Sequence, residues 1–123
     1  MKLNIPIIIV SSLLSIFMHS TFGAEDDIKL PFRFAKGKML FDQNCASCHG
    51  PSLKGTTLGP PLVHIFYKPD HHGDQAFYSA AIKGVKAHHW KFGDMPAVAE
   101  MTATKMDRIL PYIRFYQQQK KLY

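Results

Sequence analysis

Cysteine is scarce in this chain: there are two in 123 residues, at positions 45 and 48. Two thiols cannot build a disulfide framework, and without a second pair they cannot close a four-cysteine zinc site. Long hydrophobic runs are missing too. The run from Ile5 to Met18 covers 14 residues and is interrupted by Pro6 and three serines. A bilayer crossing needs about 20 apolar residues, so this run is too short for one. Acidic residues are few, 9 against 15 Lys+Arg. The period-2 alternation that marks strands is absent, as are internal repeats and low-complexity tracts, which points away from β and solenoid architectures. No nucleic-acid-binding motif occurs. The length allows one domain.

The N-terminus has the layout of an export signal. Lys2 supplies the positive start and the Ile5–Met18 run the apolar centre. Thr21 and Gly23 then stand at −3 and −1 of a cut before Ala24. The expected organisation is a signal peptide over 1–23, a flexible segment over 24–33, and a folded domain over 34–123. Removal of the signal leaves no membrane-spanning segment and places the protein outside the cytoplasm, in the periplasm. The mature chain then has 14 Lys+Arg against 9 Asp+Glu, a net +5. Three of those acids, Glu25, Asp26 and Asp27, sit at its very start, so the body beyond them is more basic still. A basic exported protein suits acidic protein surfaces; export argues against nucleic acid as a partner.

The two cysteines lie in Cys45-Ala-Ser-Cys48-His49, the c-type haem attachment pattern. Two thiols must reach two vinyl groups on one edge of a porphyrin. One short turn places both sulfurs there, and the next side chain swings under the iron. A thioredoxin-type pair would need a strand before it and an α/β sheet around it. The preceding residues, Arg33 to Asn44, read as a helix instead.

Two further helices are predicted. Thr102 to about Lys120 carries Met106, Ile109, Tyr112, Ile113 and Tyr116 at spacings of three and four, with Thr102 as N-cap. Pro111 lies inside it and predicts a kink rather than a break, because the apolar stripe stays in phase across it. A shorter helix runs from Gln75 to about Lys83, with Asp74 as its cap and Gly84 as its end. The rest is loop, rich in Gly, Pro and His. Such a small, loop-rich chain folds if a large apolar cofactor fills its core.

From Phe34 to Tyr116 the sequence resembles the monohaem class I cytochromes c. Four motifs carry the likeness, in the family's order: Gly37-x-x-x-Phe41, Cys45-Ala-Ser-Cys48-His49-Gly50, Gly59-Pro60-Pro61-Leu62 and Gly93-Asp94-Met95-Pro96. The resemblance implies an all-α cytochrome c fold, three or more helices and long loops wrapped around one covalent haem c. It implies that Gly37 and Phe41 pack on Ile109 and Tyr112. It also implies that the Pro60 carbonyl holds the outer nitrogen of His49. Pro111 and the histidine-rich middle of the chain depart from the family pattern.

The remaining iron ligand implied is Met95, on a loop 46 residues beyond His49. Met39 lies too close to the attachment site, and Met101 and Met106 fit a helix core. His64, His88 and His89 are the rivals, and would make a bis-histidine site. With His49 and Met95 as axial ligands, no open site is left for substrate or oxygen. The expected function is then a single-electron carrier between redox proteins, not an enzyme. A haem enzyme or sensor with an open distal site, and a haem-containing, copper-interacting metal-handling protein, are the alternatives.

Three other features stay open at this level. Trp90 either bonds a haem propionate or covers the haem edge, and Tyr67 either reaches the Met95 sulfur or packs. Lys83, Lys86 and Lys91 form either a docking ring for an acidic redox partner or a solvated face. Five histidines, His64, His71, His72, His88 and His89, crowd one stretch of loop. They are either surface groups or ligands of a second metal.

Overall fold

A computed structural model describes residues 28–123; the expected signal peptide lies outside them. Four helices are present: α1 (Ala35–Asn44), α2 (Ala46–His49), α3 (Asp74–Lys83) and α4 (Ala103–Gln119). Short 3-10 turns precede α1 at Phe32–Phe34 and lie between α2 and α3 at Ile65–Tyr67. Among the described residues there is no strand, only an isolated antiparallel bridge between Val85 and Met95. The fold is all-α, as the motifs imply.

The helices α1 and α4 form its frame. Gly37 is the reason they approach so closely. A Cβ at that position would overlap the carbonyl oxygen of Arg108 and stand 3.0 Å from Tyr112 Cβ. One turn along α1, the Phe41 ring meets the Tyr112 ring with centroids 5.5 Å apart. Phe41, Ile109 and Tyr112 are all fully buried, or nearly so. Burying side chains of this size stabilises by about 1.5–3 kcal/mol each, which makes this crossing the principal apolar contact of the frame. Ile28 and Leu30 belong to the stretch read as a flexible lead-in, and they pack against this core.

Local signals set the helix ends. Thr102 accepts the N–H of Lys105 at 3.2 Å and caps α4 as expected. The helix runs through Pro111 as one element, consistent with a stripe that stays in phase. The start of α3 differs from expectation. Gly73 occupies the cap position and Asp74 is the first helical residue. Its carboxylate is drawn away from the helix end by Arg114, whose Nε and Nη2 both lie 2.9 Å from Asp74 Oδ1. A guanidinium is a stronger partner for a carboxylate than a backbone N–H.

Candidate functional site

The end of α1 delivers the attachment motif. Cys45 leaves helical geometry at φ −128°, ψ −32° while its N–H still reaches the Phe41 carbonyl at 2.8 Å. The chain then turns once more as α2. The N–H groups of Cys48 and His49 both point to the Cys45 carbonyl, at 3.2 and 2.9 Å. That single turn puts both sulfurs and the His49 ring on one short stretch. Gly50, at φ +77°, reverses the chain; a Cβ there would lie 2.8 Å from the Gly55 carbonyl.

The loop that follows folds back onto this turn. A Cβ on Gly59 would lie 3.0 Å from both Cys48 Cβ and Cys48 O. Thr56 Oγ1 donates to the Cys48 carbonyl at 2.7 Å. Folded so, the loop brings the Pro60 carbonyl to His49 Nδ1, 2.9 Å away. A carbonyl can only accept, so Nδ1 carries the proton and Nε2 keeps its lone pair. Burial pushes the His49 imidazole below its ordinary range, with the Pro60 bond opposing in part. The ring is therefore oriented and biased toward its neutral form, with Nε2 able to bind a metal.

Cys45 and Cys48 are both free thiols, the first half-buried and the second exposed. Burial, with Cys48 adding to it, pushes the Cys45 thiol up to about 11. Thioredoxin-like pairs instead work with a depressed thiol pKa, near 7. The half-buried Cys45 thiol thus lacks the depressed pKa of such a pair.

Met95 arrives from the loop after α3. Its N–H and C=O pair with those of Val85, each at 2.9 Å. Gly84, at φ +81°, permits this pairing, since a Cβ there would lie 2.7 Å from the Met95 carbonyl. Asp94 ties the same loop from its other side, accepting Ala87 N at 2.9 Å and Lys86 Nζ at 2.6 Å. Both bonds hold the Asp94 carboxyl below the usual carboxylate range.

Cys45, Cys48, His49, Pro60 and Met95 all line one cavity of about 590 Å³. Phe41, Ile109 and Ile113 make part of its apolar wall, so the frame helices also form the floor of the site. A family model described as cytochrome c matches residues 34–116. This chain belongs to the cytochrome c family. Comparison with the curated proteins and with solved structures returned no match. Membership brings a covalently bound c-type haem and the general role of a haem-binding electron carrier.

The residues present fit that haem. The cavity is large, apolar and edged by two free thiols, and the imidazole beside them has its ligating nitrogen unprotonated. Trp90 and Tyr67 find a partner the sequence did not suggest, namely each other. Trp90 Nε1 donates to Tyr67 Oη at 3.2 Å, and both rings line the cavity. Lys86 is engaged by Asp94, while Lys83 and Lys91 are exposed.

Two residues of the site went unnoticed in the sequence. Arg114 and Gln117 sit on α4 beside the apolar stripe and hold the loop that carries Tyr67 and His72. Arg114 Nη1 donates to Tyr67 O at 2.7 Å and Nη2 to His72 O at 2.8 Å. The fully buried Gln117 donates Nε2 to Leu62 O at 2.8 Å and accepts Arg114 Nη1 at Oε1, 2.9 Å away. Their i, i+3 spacing beside a buried stripe was the available signal.

Proposed function

We propose that this chain is an exported single-electron carrier with one haem bonded to Cys45 and Cys48 and ligated by His49 and Met95. When bound, the haem supplies reversible one-electron chemistry at iron. The observation that carries the ligand assignment is the position of Met95 on the wall of the cavity that His49 also lines, on a loop pinned by Val85 and Asp94. Met106 lines the cavity as well, but it lies within α4 and is part of the buried core cluster. His64 does not line it, while His88 and His89 do, with His88 Nδ1 on the Lys86 carbonyl and both Nε2 atoms turned toward the rings of His72 and His71.

Each residue then has a physical task. Cys45 and Cys48 fix the cofactor edge, and the Pro60 carbonyl holds the His49 tautomer and raises its basicity as a ligand. A thioether from Met95 is a soft donor that favours the reduced iron and raises the potential. Held by His49 and Met95, a bound haem would be left without a position open to substrate and would serve one-electron transfer. Exposed Leu58, Phe92 and Cys48 lie along the cavity margin, and Lys83 and Lys91 add positive charge for an acidic redox partner.

Two experiments test this. On a denaturing gel, haem should remain with the boiled polypeptide and be lost in Cys48→Ala; haem extractable into acidified organic solvent contradicts the attachment. The oxidised holoprotein should show the weak sulfur–iron charge-transfer band toward the red. Met95→Ala should abolish that band and admit carbon monoxide to the reduced iron, and Met106→Leu should do neither. Persistence of the band in Met95→Ala refutes the ligand assignment.

A further inference from the structure

We propose that His71, His72 and His89, with His88 beside His72, form a binding site for a late first-row divalent metal ion, copper(II) foremost, at the rim of the haem cavity. Two His-His pairs are separated in sequence by α3, and the fold returns one onto the other. His71 Nε2 lies 3.1 Å from His89 Nε2, and His72 Nε2 lies 3.4 Å from His88 Nε2. One ligand atom each from His71, His72 and His89 falls within 4.8 Å of the other two. Nitrogens bound to one tetrahedral ion at about 2.0–2.1 Å stand roughly 3–3.5 Å apart. Side-chain rotations that bring these three nitrogens closer by up to about 1.5 Å reach that geometry.

The tautomers point the same way. His72 Nδ1 bonds the Phe66 carbonyl, and His88 Nδ1 bonds the Lys86 carbonyl at 2.8 Å. Carbonyl oxygens only accept, so in each neutral ring the proton sits on Nδ1 and Nε2 presents a lone pair. The two Nε2 atoms facing each other are therefore both acceptors. Two lone pairs at that distance repel unless a cation lies between them. A proton would satisfy this pair alone, whereas a metal ion also engages His71 and His89. Backbone carbonyls on the far nitrogens are the outer partners that commonly orient metal-bound histidines.

The donor set selects the ion. It contains nitrogen alone, which is unsuited to calcium or magnesium and suits copper, zinc and nickel. The Irving–Williams order places copper(II) first among them. His71 and His88 are exposed and His72 and His89 half-buried, so an ion can enter from solvent. His72, His88 and His89 also line the haem cavity, which sets the ion at its margin. Binding is read independently of the iron, so failure here leaves the His49/Met95 reading untouched, and the reverse also holds.

Calorimetric titration of the mature holoprotein with copper(II), then zinc(II), tests the site. One equivalent of copper should bind with a Kd below about 1 μM, and zinc more weakly. Copper EPR should show coupling to three or four nitrogens. The His71→Ala, His89→Ala double variant should lose at least about 100-fold in affinity, with the haem spectrum reporting that it has folded. If the double variant fails to assemble, His72→Ala alone should lose about tenfold or more. Binding weaker than about micromolar, affinity unchanged in the variants, or a copper signal dominated by oxygen donors overturns the proposal. The first of these outcomes would leave a bridging proton as the occupant.

Discussion

The side chain of Asp94 shows how much of this site depends on single charges. It accepts from Lys86 and from the Ala87 N–H, and so anchors the residue next to Met95. Its folded pKa is lowered, first by Lys86 and then by the Ala87 N–H. A depressed carboxylate contributes above its unfolded pKa, and the contribution is lost as pH falls through the folded value. In the oxidised holoprotein the Met95 charge-transfer band should therefore persist at pH 4 and fade only below the usual aspartate range. Following that band during acid titration checks the point, and Asp94→Ala should remove this step and leave the band weakened across the whole range. His49 behaves with the same sign by another route. Burial keeps it neutral, so the unfolded chain takes up a proton that the folded one refuses once pH drops below about 6.5.

At the scale of elements, the α1–α4 crossing is where a single methyl group matters most. Gly37→Val would drive a branched side chain into the backbone of Arg108. Overpacking of this kind destabilises by about 1–3 kcal/mol, and the upper part of that range is expected because the obstacle is backbone. Denaturant unfolding of the holoprotein measures it, and a change near zero would mean that the helices separate without loss. Arg114 is the second fastener. Its side chain is 12% exposed, and it joins α4 to Asp74 and to the carbonyls of Tyr67 and His72. Arg114→Ala leaves those acceptors without it, and bonds to charged groups are worth about 1.5–3 kcal/mol each. A loss of about 2–3 kcal/mol is expected by the same measurement. Arg114→Lys should recover only part of it, because one ammonium cannot reach all four acceptors that the guanidinium spans.

For the molecule as a whole, the charge balance governs encounter. The formal net charge is +6 with histidines neutral, and Lys83 and Lys91 stand exposed on the two segments that flank the Val85–Met95 bridge. Electron exchange with an acidic redox protein should slow as salt rises from about 0.01 to 0.1 M, when the Debye length shortens from about 30 to about 10 Å. Lys83→Glu combined with Lys91→Glu should lower the low-salt association rate by about tenfold or more and flatten the salt dependence. Stopped-flow kinetics across ionic strength reads both, and an unchanged slope would place docking elsewhere on the surface.

Local chemistry was legible in the residues themselves. The attachment turn, the Thr102 cap and the apolar stripe of α4 depend on neighbours within a few positions, and spacing carries that information directly, whereas the close approach at Gly37 was implied by the family resemblance, since its obstacles, Arg108 and Tyr112, lie on another helix. The Pro60–His49 bond came from resemblance to a family, since nothing in eleven residues of loop dictates where its carbonyl points. Asp74 was misjudged as a cap because its partner, Arg114, lies 40 residues away, beyond any local rule. A separation of 55 residues hid Gln117, whose polar amide beside a buried stripe has meaning only once Leu62 is seen against it. Histidine density was plain in the sequence, but which nitrogens face each other was not. Tertiary structure decided that, because ring orientation depends on the backbone carbonyls of Phe66 and Lys86 and on how α3 returns one pair onto the other.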